Sequence, residues 1–325
     1  MNKLKIGVTG TGSLIGQAVI KSILNSELKE SIELIGFDYF DETVGSHWCF
    51  KNFLLPDILK VENQELWKNT IKQLIIQNQI KVLFVGVDFE LIFFSEMKTE
   101  IKEQTGCEVI VSSSDVVNIG NDKYLTYKFL KEHDLNFPKT WLKSEIDDEE
   151  IKYPCIVKPR VGARSRGVYI VNSKLELISR LKQEPDAIVQ EYIGTTETEY
   201  TCGVLCIQGQ IIGSIALRRY LKEGNTHVAE YKQDYDAKIY KYIQKIAEYL
   251  KPEGSCNFQI RCNEEGEPYL FEINPRFSGT TYMRTLFGFK EVEYIIRRFC
   301  KLDIEKFQLK EGRVYRYFEE KLIED

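Results

Sequence analysis

Short apolar runs alternate with helix-spaced apolar positions over the first third of the chain. KIGVT (5–9) is a compact apolar run, and after it Leu14, Ile15, Ala18, Val19 and Ile23 recur on one helical face. ELIGFD (33–38) and VLFVGVD (82–88) repeat the strand pattern, CEVIV (107–111) adds a fourth, and Leu66, Ile71, Leu74 and Ile75 mark a helix before the third. Short apolar strands separated by helices predict a parallel sheet covered on both faces. SSSD (112–115) reads as a polar connector, and Asn121 or Asp122 as the cap of a helix bearing Leu125, Phe129 and Leu130.

Beyond about residue 139 the pattern changes. Strand-like runs appear at CIVKP (155–159), GVYIV (167–171), AIVQEY (187–192), EYTCGVLCI (199–207), QIIGSIALRR (210–219), CNFQIRC (256–262) and YLFEIN (269–274). Gln208-Gly209 and the NEEGEP segment (263–268) have the length and composition of hairpin turns. One clear helix interrupts them, with Ile239, Ile243, Ile246 and Leu250 on one face. The second part is therefore predicted as α+β with antiparallel sheet, following an α/β lobe.

A chain of 325 residues is too long for a single core and suits two or three lobes. The boundaries read as 1–112 for the parallel-sheet lobe and 113–325 for the rest, itself divisible near residue 190. The net charge of −5 gives no global basic field for nucleic acid. No apolar stretch approaches a membrane span, and the N-terminus enters a strand with no signal-peptide core, so a cytoplasmic protein is expected. The eight cysteines are scattered without a C-x-x-C pair, as buried reduced thiols would be. Three separated histidines leave no basis for a zinc site or a Ser-His-Asp triad.

GTGSLIG places Gly10, Gly12 and Gly16 between the first strand and first helix, and Asp38 ends the next strand. This invites a dinucleotide reading, and with it an NAD-dependent oxidoreductase. The spacing is one residue too long for that fingerprint, and glycines are needed for a tight strand-to-helix turn in any case.

Four later segments point elsewhere. PCIVKPR puts Lys158 near a strand end, and VGARSRG (161–167) follows, with Arg164 and Arg166 at a glycine-bounded tip. A strand lysine and a closing glycine loop suit nucleotide phosphates. IVQEYIG (188–194) breaks into a linker able to present main-chain groups to a base edge, and Glu199 follows as a ribose acceptor. NFQIR (257–261) and FEINPR (271–276) flank a short turn, so pairing brings Gln259, Glu272 and Asn274 together. Glu272 and Asn274 are two apart and share a face. These are oxygen ligands suited to Mg²⁺, and Arg276 follows where a transferring phosphate needs neutralising.

In this order, over about residues 115–285, these segments resemble the ATP-grasp superfamily. The nearest subgroup is the carbamoyl-phosphate-synthase-like one, whose stand-alone members are carboxylate–amine ligases. The resemblance implies a Rossmann-like first lobe and an ATP-grasp domain of two α+β subdomains, with Lys123 and Lys158 on ATP phosphates and GARSRG, including Arg164 and Gly167, as a mobile loop. Glu191, Tyr192 and Ile193 match the adenine hinge, Glu199 the ribose ligand, Gln259, Glu272 and Asn274 the metal ligands, and Arg276 the arginine beside the γ-phosphate. ATP and Mg²⁺ are the implied cofactors, with two ions expected and Mn²⁺ able to substitute. The implied reaction forms an acyl phosphate and passes it to an amine. For the substrates, Arg218 or Arg219 is a candidate carboxylate ligand, and Asp88 and Glu90 are candidates to meet the amine. Two features depart from relatives: Gln259 stands where many carry an acid, and Gly203 replaces an acid of the E-Y-T-V-D strand. A non-catalytic nucleotide-binding module is the other alternative. Small-molecule substrates, no nucleic acid and no membrane are the expected partners, and a homodimer is compatible with the sequence.

Overall fold

The computed structural model describes residues 3–146, 150–162 and 167–323. β1 (Leu4–Thr9), β2 (Ile32–Asp38), β3 (Lys51–Leu54), β4 (Val82–Phe84) and β5 (Glu108–Ile110) form a wholly parallel sheet in the order β3-β2-β1-β4-β5. It is connected through α1 (Leu14–Leu24), α2 (Gln64–Asn78) and α3 (Leu91–Thr105). The parallel lobe is as the sequence predicts, with two additions. β3 is an edge strand reading KNFL, with no apolar run to announce it. α3 opens on LIFF, which hides its helical period behind a continuous apolar stretch.

SSSD is more than a connector. Ser113 accepts a hydrogen bond from the Val116 amide and caps α4 (Ser114–Asn121). Asp122 then caps α5 (Lys123–Glu132), accepting from the Tyr124 and Leu125 amides.

β6 (Thr140–Leu142), β7 (Cys155–Pro159), β8 (Tyr169–Val171) and β9 (Ala187–Glu191) make a four-stranded antiparallel sheet ordered β6-β9-β7-β8. α6 (Lys174–Gln183) closes its core with Leu177 and Leu181 against Val157, Val171 and Val189. The large sheet is six-stranded: β10 (Glu199–Ile207), β11 (Gln210–Lys222), β12 (Asn225–Tyr231), β13 (Gly254–Cys262), β14 (Pro268–Asn274) and β15 (Gly312–Tyr315), ordered β14-β13-β10-β11-β12-β15. Gln208 and Gly209 both have positive φ, 53° and 76°, as a tight two-residue hairpin turn requires.

α7 (Ala237–Leu250) packs Ile239, Ile243 and Ile246 on one face of this sheet, against Cys202, Val204 and Phe258. On the other face, Leu205, Ile215 and Leu217 join a core that includes Ile6, Val8 and Val19 of the first lobe and residues of α9 (Glu291–Phe299). Burial on both faces explains why EYTCGVLCI has no polar alternation. α6, α9 and the short α8 (Thr281–Leu286) add to the single helix expected in this part; each is ten residues or fewer.

Among the described residues no helix is long and apolar enough to cross a membrane. All eight cysteines are free, and six of them are buried.

Candidate active site

The cleft lies between the two antiparallel sheets. Pairing of β13 with β14 sets Gln259 opposite Glu272, with a bulge immediately after, between Gln259 and Ile260. Glu272 Oε1 accepts from Gln259 Nε2 at 3.2 Å and from Asn274 Nδ2 at 2.8 Å. The three residues expected from the hairpin therefore do meet. Among the described residues no group of three or more histidines, cysteines and acids could hold a metal. The chemistry here is one carboxylate with two amide groups, which fits an ion that keeps waters and phosphate oxygens as its other ligands. This donor set suits Mg²⁺ and lacks the nitrogen and thiolate ligands of a structural zinc site.

Two lysines approach the same carboxylate. Lys158, on β7, is 5% exposed and donates to the Phe271 carbonyl at 3.3 Å. Burial pushes its ammonium down to about 7, and Lys123 and Arg261 push the same way while Glu272 opposes them. Lys123 opens α5 and donates to the Gly162 carbonyl at 3.0 Å. Burial lowers it too, against the pull of Glu272 and Asp122. Arg160 fixes the start of α5: its Nε donates to Asp122 Oδ2 at 2.7 Å, and its carbonyl accepts from the Lys123 amide at 3.1 Å. The near arm of the 161–167 loop is thereby tied to the lysine it would accompany. Arg164, at the tip, lies outside the described residues. Gly167 is described, with φ of 70°, and an added Cβ would lie 2.9 Å from Pro159 Cγ, so the far end of the loop needs glycine.

An open cleft of about 850 Å³, counting the solvent at its mouth, has Lys123, Lys158, Glu191, Ile193, Glu199, Gln259 and Glu272 on its walls. Ile156, Val168, Leu221 and Phe271 add apolar walls of the kind that suit a flat heterocycle. Glu191 and Ile193 line it; Tyr192 does not, and the Arg261 guanidinium lies 5.3 Å from its ring centre. Glu199 is 2% exposed and held by two arginines: Arg219 Nε donates to Oε1 at 2.7 Å and Arg261 Nε to Oε2 at 2.8 Å. Arg219 also donates to Gln259 Oε1 at 2.8 Å, which fixes the direction of that amide.

A second, larger cavity, about 2060 Å³ with open solvent counted, adjoins the first, and Lys123, Gly162, Arg219, Gln259 and Glu272 line both. Its far wall comes from the parallel lobe and includes Ser13 and Asp88. Arg276 bridges the gap, pairing through Nε with Asp88 and donating through Nη2 to Asn274 Oδ1 at 2.9 Å.

Two expected substrate residues are not in the cleft. Glu90 is fully buried in the parallel lobe, bonded to Thr9 Oγ1 and, at 2.7 Å, to Tyr39 Oη, and burial pushes its carboxyl up to about 7. Asp88, two residues earlier on the same turn, instead leaves the lobe's core and lines the second cavity. Arg218 lies on the opposite face of β11 from Arg219 and pairs with Glu197 at 2.6 Å, because neighbouring strand residues point oppositely. The glycine-rich turn also spends its bonding internally. Asp38 accepts from Thr11 Oγ1 at 2.8 Å and from the Gly12 and Tyr39 amides at 2.7 Å each. A Cβ on Gly16 would lie 2.1 Å from the Gly10 carbonyl oxygen, so that glycine serves packing.

Sequence reasoning passed over Arg261, Asn257 and Arg284. Arg261 was legible by period two, since it shares a face of β13 with Gln259. Arg284 was not. It is wholly buried, pairs with Glu291, donates to Asn257 Oδ1 at 3.0 Å, and fills the space beside Gly203, where a Cβ would lie 2.7 Å from its Cδ.

A parallel lobe feeding two antiparallel sheets that enclose a lysine-lined cleft defines an ATP-grasp architecture. Residues 120–280 match the model of the ATP-grasp domain, and the chain carries that domain. Curated relatives include the carbamoyl phosphate synthase large chain of Thermoanaerobacter sp. (strain X514), 23% identical over 81% of this chain and 24% of the relative. A D-alanine–D-alanine ligase of Fusobacterium nucleatum is 28% identical over 53% of this chain and 60% of its own. The chain thus spans about a quarter of the synthase large chain. Among solved structures, an N5-carboxyaminoimidazole ribonucleotide synthetase in complex with ADP superposes with a TM-score of 0.75, at 13% identity, over 95% of this chain and 80% of that one. An L-amino acid ligase from Bacillus licheniformis gives 0.71 at 14% identity, over 94% and 76%. These superpositions concern the fold.

Proposed function

We propose that the protein is an ATP-dependent ligase that activates a carboxylate as an acyl phosphate and transfers it to an amine, releasing ADP and phosphate. The observation that carries this reading is the junction of the two cavities. The residues at that junction, Lys123, Arg219, Gln259 and Glu272, belong to both walls, so a nucleotide in the first would present its terminal phosphate to a molecule in the second. In the carbamoyl phosphate synthase and D-alanine–D-alanine ligase relatives, the names themselves describe synthase and ligase proteins.

The chemistry asks for positioning and charge neutralisation rather than a side-chain nucleophile. A substrate carboxylate oxygen attacks the γ-phosphorus, and the bond to the β,γ-bridging oxygen breaks with its electrons leaving on ADP. The amine then attacks the acyl carbon, phosphate departs with the bonding pair, and the ammonium proton is lost. Lys123 and Lys158 hold the phosphates, Arg276 faces the transferring group, and the apolar walls exclude water from an easily hydrolysed intermediate. Glu272, Asn274 and Gln259 would hold Mg²⁺, or Mn²⁺ in its place, and the bound metal would neutralise phosphate charge. Glu191 and Ile193 frame the base, and Glu199 meets the ribose side of the slot. We divide the chain at 112/113, with the second unit subdivided near 190, a reading supported by the spans of the three sheets.

The test is ADP release over panels of carboxylates and amines with MgATP. The wild type should turn over at least one pair, and Glu272→Ala should lose about a thousandfold or more in kcat with an unchanged melting temperature. Near wild-type turnover by Glu272→Ala would remove that residue from the mechanism, and ATP binding with no release from any pair would favour a non-catalytic module.

A further inference from the structure

Three arginines line the larger cavity: Arg219, Arg276 and Arg316. Two have carboxylate partners, Glu199 and Asp88 respectively. Arg316, which follows β15, has none among the described residues. Arg316 is half-buried, desolvation lowers its guanidinium below the usual range, and the one side-chain bond described for it goes from Nη2 to the Gly279 carbonyl oxygen. A planar group with five N–H donors is left mostly unspent, inside a cavity, beside a neutral acceptor. A cation held this way is costly unless an anion completes it.

A second observation points to the same place. Gly279 is wedged between Arg316 and the start of α1: a Cβ built on it would lie 2.7 Å from Leu14 Cδ2 and 3.5 Å from Arg316 Nη2. Ser13, Leu14 and Ile15, the cap and first turn of α1, line this cavity as well. Ser13 Oγ accepts from the Gly16 amide, so the capping contact is made, while the α1 dipole is directed at the pocket that holds Arg316. Both features favour negative charge at the part of the cavity lined by Arg316 and the start of α1.

We propose that one of the two substrates carries, besides the group that reacts, a second anionic group, a carboxylate or a phosphate, and that Arg316 binds it. This rests on the ligase reading and narrows its substrate class to molecules with such a handle, of which an amino acid is the simplest. Arg316 is then the specificity residue, and the glycine-rich turn contributes through the helix it starts rather than through a dinucleotide.

Two arms test this on the full chain. In the first, ADP release is followed with MgATP, one fixed carboxylate donor taken from the carboxylate panel, and a panel of amino acids as the amine, each offered as free acid and as carboxamide. Free acids should exceed carboxamides by about ten- to a hundredfold in kcat/KM, as expected for losing a charge-assisted contact. Arg316→Met should collapse that ratio through the KM of the free acid, leaving the KM for ATP within about twofold, and Arg316→Lys should restore part of it. In the second arm, melting temperatures are read with a non-hydrolysable ATP analogue bound, adding succinate or glycerol 3-phosphate. Either anion should raise the wild type and not Arg316→Met, and the better one identifies the handle as carboxylate or phosphate. Equal shifts in both proteins, or an unchanged ratio in Arg316→Met, overturn the proposal. If no pair from the full carboxylate and amine panels releases ADP, the ligase reading is what fails, and the melting arm still decides whether Arg316 binds an anion.

Discussion

Lys158 shows how much one buried side chain sets. It sits at the inner end of a β strand, beneath a carboxylate and beside a second lysine, and its ammonium is pushed down to about 7. An unfolded lysine holds its proton to about 10.4, so between there and 7 the unfolded chain binds more protons and stability rises with pH. The burden is greatest below 7. Lys158→Met should therefore melt at or above the wild type at pH 6.5, while its ADP release falls at least about a hundredfold. Phosphate should also return the proton. Calorimetric titrations with ATP in buffers of different ionisation enthalpy should show uptake approaching one proton at pH 8.5 and little at pH 6; no uptake at pH 8.5 would place the lysine away from the phosphates. Lys158, Glu272, Gln259 and Asn274 were legible in the sequence because a strand's period of two and a short turn determine which side chains meet. Glu90 was misplaced because the single 3₁₀ turn after β4 buries it while leaving Asp88 exposed, and no local pattern records which end of the turn is buried.

At the scale of elements, the large sheet is held beside the edge that lines the cleft by an ion pair that the sequence does not advertise. Arg284 of α8 and Glu291 of α9 are both fully buried, and Arg284 reaches across to Asn257 of β13 through the space that Gly203 of β10 leaves open. Asn257 in turn pairs with Asn274 across the strands. An acid is not needed at position 203, because Arg284 brings its own from α9. Gly203→Ala should push against Arg284 and cost about 1–3 kcal/mol in urea unfolding. Glu291→Gln should cost more, about 3–5 kcal/mol, by leaving a buried guanidinium unpaired. A Glu291→Gln protein as stable as the wild type would mean that the pair is not a structural support. α8 and α9 escaped the sequence reading for a physical reason: their buried faces include Arg284, Glu291, Glu293 and several threonines, so a count of apolar positions underrates them.

In the whole molecule the parallel lobe and the large sheet share one core. Phe84 of β4 meets Phe277 edge to face at 5.4 Å, and Ser22 of α1 and Thr285 of α8 are hydrogen-bonded at 2.9 Å. A chain of residues 113–325 alone would expose Phe277, Met283 and Ile296 to water. We expect it to bind a hydrophobic dye and to lose a sharp melting transition; a cooperative, monomeric 113–325 protein would show the two units to be independent. The same packing brings Asp88 to Arg276 and Arg316 to α1. By itself the sequence determined the alternation of strands and helices, the hairpin that gathers Gln259, Glu272 and Asn274, and the lysines that face them, since each follows from period and turn over a few residues. Only the tertiary structure decided which arginine enters the cleft, which acid is spent inside the lobe, and which charge is left waiting for a partner. Those outcomes depend on segments hundreds of residues apart competing for the same buried space, and no local pattern carries that information.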